Sequence, residues 1–288
     1  MRYHFSMAGR REITGLLLAA LVGGLLCGCE AMGIRYEKGA ESILDFKTGP
    51  DYAEAAQMAI NEYDANDRYK GTLILANAPF ASGDVYIRLF EENATDEDAS
   101  VRAAAIRGLA NHGSPTHVPF IAEAIEDESE IVRMEAARGL QRLHGQEAIS
   151  PLMRHTREAS EPLSEIRAEA AHALGQYAEP RVVQELIRAL REDPSLAVNA
   201  SALESLRTLT GQDFGLEHNE WTRWLAATDK PFEGRTVYLY RAYERDPTLF
   251  ERLPFIPGPP NDAPAAPAGL PPEERSSLSR REEPPPGS

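Results

Sequence analysis

The sequence predicts an all-α protein built as an α-solenoid, a stack of helical hairpins. Three observations predict it. A short residue frame is written four times, with its leucines 31, 34 and 32 residues apart. Apolar residues around that frame follow the 3, 4, 7 spacing of an amphipathic helix. The composition is that of a globular chain, 42% hydrophobic and 26% charged over 288 residues, with only two cysteines and hence no disulfide framework.

The frame reads acid, aliphatic-Arg, Ala, Leu. It occurs as Asp96/Val101/Arg102/Ala105/Leu109, Asp127/Val132/Arg133/Ala136/Leu140, Glu161/Ile166/Arg167/Ala170/Leu174 and Asp193/Val198/Asn199/Ala202/Leu206. A second aliphatic set follows in the first three units: Val118/Ile121/Ile125, Ile149/Leu152/Thr156 and Val183/Leu186/Leu190. Two helices per unit, stacked on their neighbours, make a solenoid. The longer second period places its three extra residues after the second helix, around Ser160 to Leu163. A degenerate earlier unit fits the spacing, with Arg68 34 residues before Arg102, Leu75 at the leucine position and an atypical loop, ANAPFASGDVYIRLF.

The frame lacks the Trp, Gly and Tyr positions of a tetratricopeptide repeat and the Thr-Pro-Leu-His of an ankyrin repeat; it resembles the short HEAT repeat, of the bilin-lyase-like type. The segments NDRYKGTLILANAPFASGDVY, VRAAAIRGLANHG, VRMEAARGLQRLH, RAEAAHALGQY and AVNASALESLRTLTGQDFG, with the two tryptophans that follow, are similar to a group of bacterial HEAT-repeat lipoproteins over roughly residues 43 to 255. That resemblance implies a repeat scaffold and no reaction.

Taken in order, residues 1–28 read as a signal peptide: Arg2, Arg10 and Arg11, then an apolar run from Ile13 to Leu26 that is short for a membrane span. Leu26-Cys27-Gly28-Cys29 resembles a lipobox, with Cys29 the lipidated residue. Residues 29–50 then form a lipidated linker. Cleavage before Cys29 removes three of the 30 basic residues and one of the 45 acidic ones, which takes the net charge from −15 to −17. So acidic a chain disfavours nucleic acid and anionic headgroups, leaving the lipid as the only attachment to a membrane. The expected location is the bacterial cell envelope, facing the periplasm or the exterior.

Residues 51–95 hold N-terminal helices and the degenerate capping repeat, and residues 96–228 the HEAT-like repeats with a C-terminal cap. In the cap, Trp221, Trp224 and Leu225 share one helical face, and large rings suit the covering of an exposed apolar end. Gly211 and Gly215 are no phosphate loop, because no Gly-Lys-Ser/Thr follows. Residues 229–255 alternate aromatic and polar positions and are expected to run extended, anchored by Tyr238, Tyr240 and Phe250. Residues 256–288 are rich in proline and aperiodic, a disordered tail.

Chemistry is sparse. No two of the seven histidines share a ligand spacing, and the paired His-Glu dipeptides that a HEAT-repeat di-iron hydroxylase would show are missing. No metal, cofactor or catalytic residue is assigned, and the expectation is a chain that is not an enzyme. The repeated acids are placed to cap helix N-termini, and Arg102, Arg133 and Arg167 to reach a neighbouring unit's acid. On the second helices, Glu123, Arg154 and Arg188 occupy one column and Glu126, Arg157 and Arg191 the next. This predicts a basic stripe beside an acidic first unit, steering a protein partner with an acidic surface. The expected function is a lipid-anchored scaffold; the rivals are a ligand-binding or chaperone-like lipoprotein and a HEAT-scaffold enzyme such as a lyase.

Overall fold

Each aliphatic of the repeat frame lies where its spacing puts it, on the inner side of a helix. Val101, Leu109, Val132, Leu140, Ile166, Leu174, Val198 and Leu206 are wholly buried, as are Val118, Ile121, Ile125, Ile149, Leu152, Val183 and Leu186 of the second set. The computed structural model describes residues 34–36, 46–48, 51–241 and 264–271. The chain divides into two units, residues 1–51 with 244–261, and residues 52–243 with 262–288. In the first, β1 (Ile34–Tyr36) pairs antiparallel with β2 (Phe46–Thr48) in the register Ile34 to Thr48.

The second unit is the solenoid. Helix α1 (Tyr52–Ala59) precedes five hairpins: α2 (Ala65–Ala76) with α3 (Asp84–Asn93), α4 (Ala99–His112) with α5 (Val118–Ala124), α6 (Glu130–Gly139) with α7 (Ile149–His155), α8 (Ser164–Ala173) with α9 (Pro180–Glu192), and α10 (Leu196–Thr210) with α11 (His218–Ala227). The first helices α2, α4, α6, α8 and α10 pack side by side in one layer. The second helices lean onto the following unit, α5 on α6, α7 on α8 and α9 on both α10 and α11. Among the described residues no helix is long and apolar enough to cross a membrane.

Local sequence sets the boundaries. Asp64 and Asp98 cap α2 and α4, each carboxylate accepting two free N–H groups of the first turn. The link from α7 to α8, residues 156–163, is three residues longer than the link from α5 to α6, residues 125–129. Part of the atypical loop of the degenerate unit is helical: Asp84–Asn93 forms α3, because Tyr86, Ile87, Leu89 and Phe90 give it an apolar face. Gly71 lets α1 cross α2 closely, since a Cβ there would lie 2.4 Å from Ala55 O.

Within residues 256–288 a short strap is described: β4 (Pro264–Ala265) pairs antiparallel with β3 (Tyr240–Arg241), and residues 266–271 continue to the link after α6. The strap is ordered because its backbone groups find partners and Leu270 is buried. Before it, Thr236 N–H donates to Thr208 O at the end of α10, and Tyr238 OH lies 2.9 Å from His172 Nδ1 at the end of α8. Cys29, the apolar run before it, Phe250 and the remainder of the tail lie outside the described residues.

Candidate functional site

The repeated arginines and acids form a ladder through the stack. Arg68 holds Asp96, Arg102 holds Asp127, Arg133 holds Glu161 and Arg167 holds Asp193, each through Nε and Nη2 at 2.6 to 3.2 Å. Each Nη1 donates backwards to the two carbonyls that open its own unit, such as Asp96 O and Glu97 O for Arg102. At the fourth place Asn199 keeps only that backward bond, to Asp193 O, and the ladder ends there.

The acids do not cap their helices as the sequence suggested. Each sits two residues before the N-cap and accepts the N–H of the cap residue: Asp98, Ser129, Leu163 and Ser195. Burial alone would raise the carboxyls of Asp96, Asp127 and Glu161; the guanidinium and the N–H bond outweigh it and hold all three below their ordinary values. The ladder is a set of bolts between repeats, with its bidentate geometry suited to arginine alone.

The second-helix row is not a stripe of free cations. Arg154 pairs with Glu126 at 2.5 Å, Arg157 with Glu185 at 2.7 Å, Arg188 with Glu185 at 2.8 Å and with Glu192 at 3.1 Å, and Arg191 with Glu192 at 2.5 Å. Glu185 is the residue that sequence reasoning missed. It is buried, accepts from Arg157, Arg188 and the Thr156 hydroxyl, and is held below its ordinary pKa by them against the opposing effect of burial. Its position inside the apolar face of α9, between Val182 and Leu186, gave no signal of a charge that its neighbours would satisfy. Glu123 is exposed beside this row, while Glu126 faces Arg154 and the buried His155, whose Nε2 lies 3.2 Å away. The predicted acidic-surfaced partner loses its motive, because paired charges of both signs cancel the field such a partner would follow.

At the C-terminal end Trp221 is buried and donates its indole N–H to Gly215 O at 2.9 Å. Phe214 stands edge-on to it at 4.9 Å between centroids, and the partly buried Trp224 at 6.3 Å. The aromatic group packs where α11 meets α9, with Phe214 and Trp224 against the buried core.

The opposite face carries a groove. Its floor comes from three successive first helices: Tyr69 and Leu73 of α2, Ala103 and Ala104 of α4, Ile131 and Met134 of α6. The volume is about 340 Å³. The two alanines make it, since a longer side chain on α4 would fill the trough between α2 and α6. Arg107, Glu130, Glu135 and Arg138 form its rim, with Arg107 paired to Glu135 and Arg138 to Glu169. Ile131 is 42% exposed, a large aliphatic left open at the edge of the trough.

With this geometry, comparison with known proteins is direct. Residues 87–163 match the family model described as HEAT repeats, and residues 166–192 the one described as PBS lyase HEAT-like repeat. The chain carries HEAT repeats. A curated relative, deoxyhypusine hydroxylase of Danio rerio, is 34% identical over 105 residues, 36% of this chain and 33% of that protein. The match thus spans about a third of the relative's length. The HEAT chain is also similar to a solved structure, the complex of CpcE and CpcF of phycocyanin lyase from Nostoc sp. PCC7120, at 20% identity and a TM-score of 0.42, covering 54% of this chain and 99% of that one.

The likeness to the curated relative overturns the expectation of a non-enzyme: the protein aligned at 34% identity over 105 residues is a hydroxylase. Among the described residues no three or more of His, Cys, Asp and Glu are grouped to hold a metal ion.

Proposed function

We propose that this HEAT-repeat solenoid holds a protein partner along the groove between α2, α4 and α6 and presents it within an enzymatic assembly. We place it at a cell-envelope membrane, anchored through an acylated Cys29. The observation that carries the reading is the groove: three consecutive helices bare an apolar floor of Tyr69, Leu73, Ala103, Ala104, Ile131 and Met134 behind a rim whose cations and acids already pair with one another. Such a trough takes apolar side chains of a partner, and the rim confers orientation rather than net attraction. The likeness of part of the chain to a hydroxylase supports an enzymatic setting.

The test uses the full tagged chain, purified in detergent. Ile131→Asp places a charge at the lip of the groove, and Leu196→Asp does the same at an exposed aliphatic elsewhere, 74% exposed. Loss of a co-purifying protein with Ile131→Asp and its retention with Leu196→Asp supports the reading; equal retention by both removes the groove from it. For the anchor, Cys29→Ala abolishes incorporation of labelled fatty acid and Cys27→Ala preserves it. Labelling of the Cys29→Ala chain contradicts the assignment.

A further inference from the structure

Beyond α11 the chain turns back along the stack and meets a different hairpin at each step. Thr236 N–H donates to Thr208 O at 2.8 Å, at the end of α10 in the fifth hairpin. Tyr238, buried, reaches the end of α8 in the fourth: its hydroxyl lies 2.9 Å from His172 Nδ1, and the two rings are 5.2 Å apart between centroids. Tyr240 comes next, with the Arg142 guanidinium of the link after α6, in the third, over its ring at 5.8 Å. An extended chain advances about 6.6 Å for every two residues, and packed helices lie about 8–10 Å apart. Alternate residues therefore meet successive first helices.

The strap carries this course one hairpin further. Ala265 pairs with Tyr240, and then Ala268 N–H donates to Arg142 O and His144 N–H to Ala268 O, each at 2.8 Å. Gly269, at φ +93°, fits against the link between α4 and α5 in the second hairpin, where a Cβ would lie 2.5 Å from Pro115 Cγ. Leu270, next to it, is 1% exposed. Residues 236–241 and 264–270 thus touch the fifth, fourth, third and second hairpins in that order.

We propose that these two segments, joined by the β3–β4 pair, are a brace that makes four repeats open and close as one body. The ladder and the side-by-side packing of the first helices link each repeat to its neighbour. A stack held by neighbour contacts alone loses its repeats from the ends inward. The brace is of another kind, because one segment is bound by repeats up to three places apart. Letting go of one repeat weakens its hold on the others, since each contact keeps the next at high effective concentration. The device does not depend on the α2–α4–α6 groove.

The chain carries its own reporter for the test. Both of its tryptophans, Trp221 and Trp224, lie in α11 of the fifth hairpin, so their fluorescence follows that end of the stack, whereas far-ultraviolet circular dichroism follows all the helices. Urea denaturation of the full chain is recorded by both signals. The unaltered chain is expected to give coincident transitions, the mark of one cooperative unit. Leu270→Asp, at the far end of the brace, buries a charge if the strap stays and so releases it. The two midpoints are then expected to separate by about 1 M urea. Tyr240→Ala cuts the brace at its centre without burying a charge; it is expected to separate them as well, and it decides the matter if Leu270→Asp loses helix before urea is added. Midpoints that already differ in the unaltered chain overturn the proposal. Midpoints that still coincide in either variant with its helices intact overturn it too.

Discussion

The Arg157 guanidinium closes on the Glu185 carboxylate at 2.7 Å, and the same carboxylate receives Arg188 Nε at 2.8 Å. One buried acid thereby ties α7 to α9 and occupies two arginines that the sequence offered to a partner. Glu185→Ala strips the partner from both and from the Thr156 hydroxyl. The expected loss is about 1–3 kcal/mol, measured by urea denaturation, because a buried polar group loses its acceptor. Arg157→Ala should cost less, about 0–1 kcal/mol, since half of that side chain is in water. A larger cost for Arg157→Ala than for Glu185→Ala contradicts the placement of the acid.

The ladder gives a graded series. Arg167 and Asp193 are both nearly inaccessible, whereas Arg68 and Asp96 keep about a tenth of their side-chain surface. Arg167→Ala leaves Asp193 buried without its cation and is expected to destabilise by about 3–5 kcal/mol. Arg68→Ala, at the end of the stack, is expected to cost less. Thermal melting of the two single variants ranks them, and an inverted order argues against the ladder as the bolt between repeats.

Acid should weaken the stack in a defined window. Asp96, Asp127, Glu161 and Glu185 titrate below their ordinary values in the folded chain, because guanidinium and N–H donors outweigh the effect of burial. Near pH 4 the unfolded chain therefore binds more protons than the folded one, and stability falls with falling pH. The contribution is complete above the unfolded carboxylate values of about 4 and disappears as pH drops through the folded ones. Denaturation midpoints between pH 7 and pH 2 check this, and Glu185→Gln should flatten the slope.

Trp221 and Trp224 separate packing from exposure. Trp221→Ala removes a fully buried ring and the bond to Gly215 O, with an expected cost of about 3–5 kcal/mol. Trp224→Ala, on a half-covered ring, should cost clearly less. Equal losses on thermal melting contradict this picture of the end group.

The solenoid was legible because all four repeats share the wholly buried frame leucines Leu109, Leu140, Leu174 and Leu206, and the first three add a second aliphatic set and an arginine at one offset. The surfaces were not. Glu185, set in the apolar face of α9, shows no role in the sequence until α7 brings Arg157 across from 28 positions upstream. The groove depends on Ala103 and Ala104 lying between Tyr69 and Ile131, residues far apart in sequence and joined only by the side-by-side packing of α2, α4 and α6. The strap was hidden by its composition: prolines and alanines signal disorder, and β3 and the backbone at Arg142–His144 give them partners only in the folded chain.

The most direct measurement of the central claim is site-specific photo-crosslinking from the full chain in the cells that make it. A photoreactive residue is placed in turn at Ile131, in the α2–α4–α6 groove, and at Arg191, in the second-helix row. The account predicts one discrete crosslinked protein from position 131, lost when Ala104→Arg fills the trough, and none from position 191. A discrete product from position 191 with none from position 131 would contradict it.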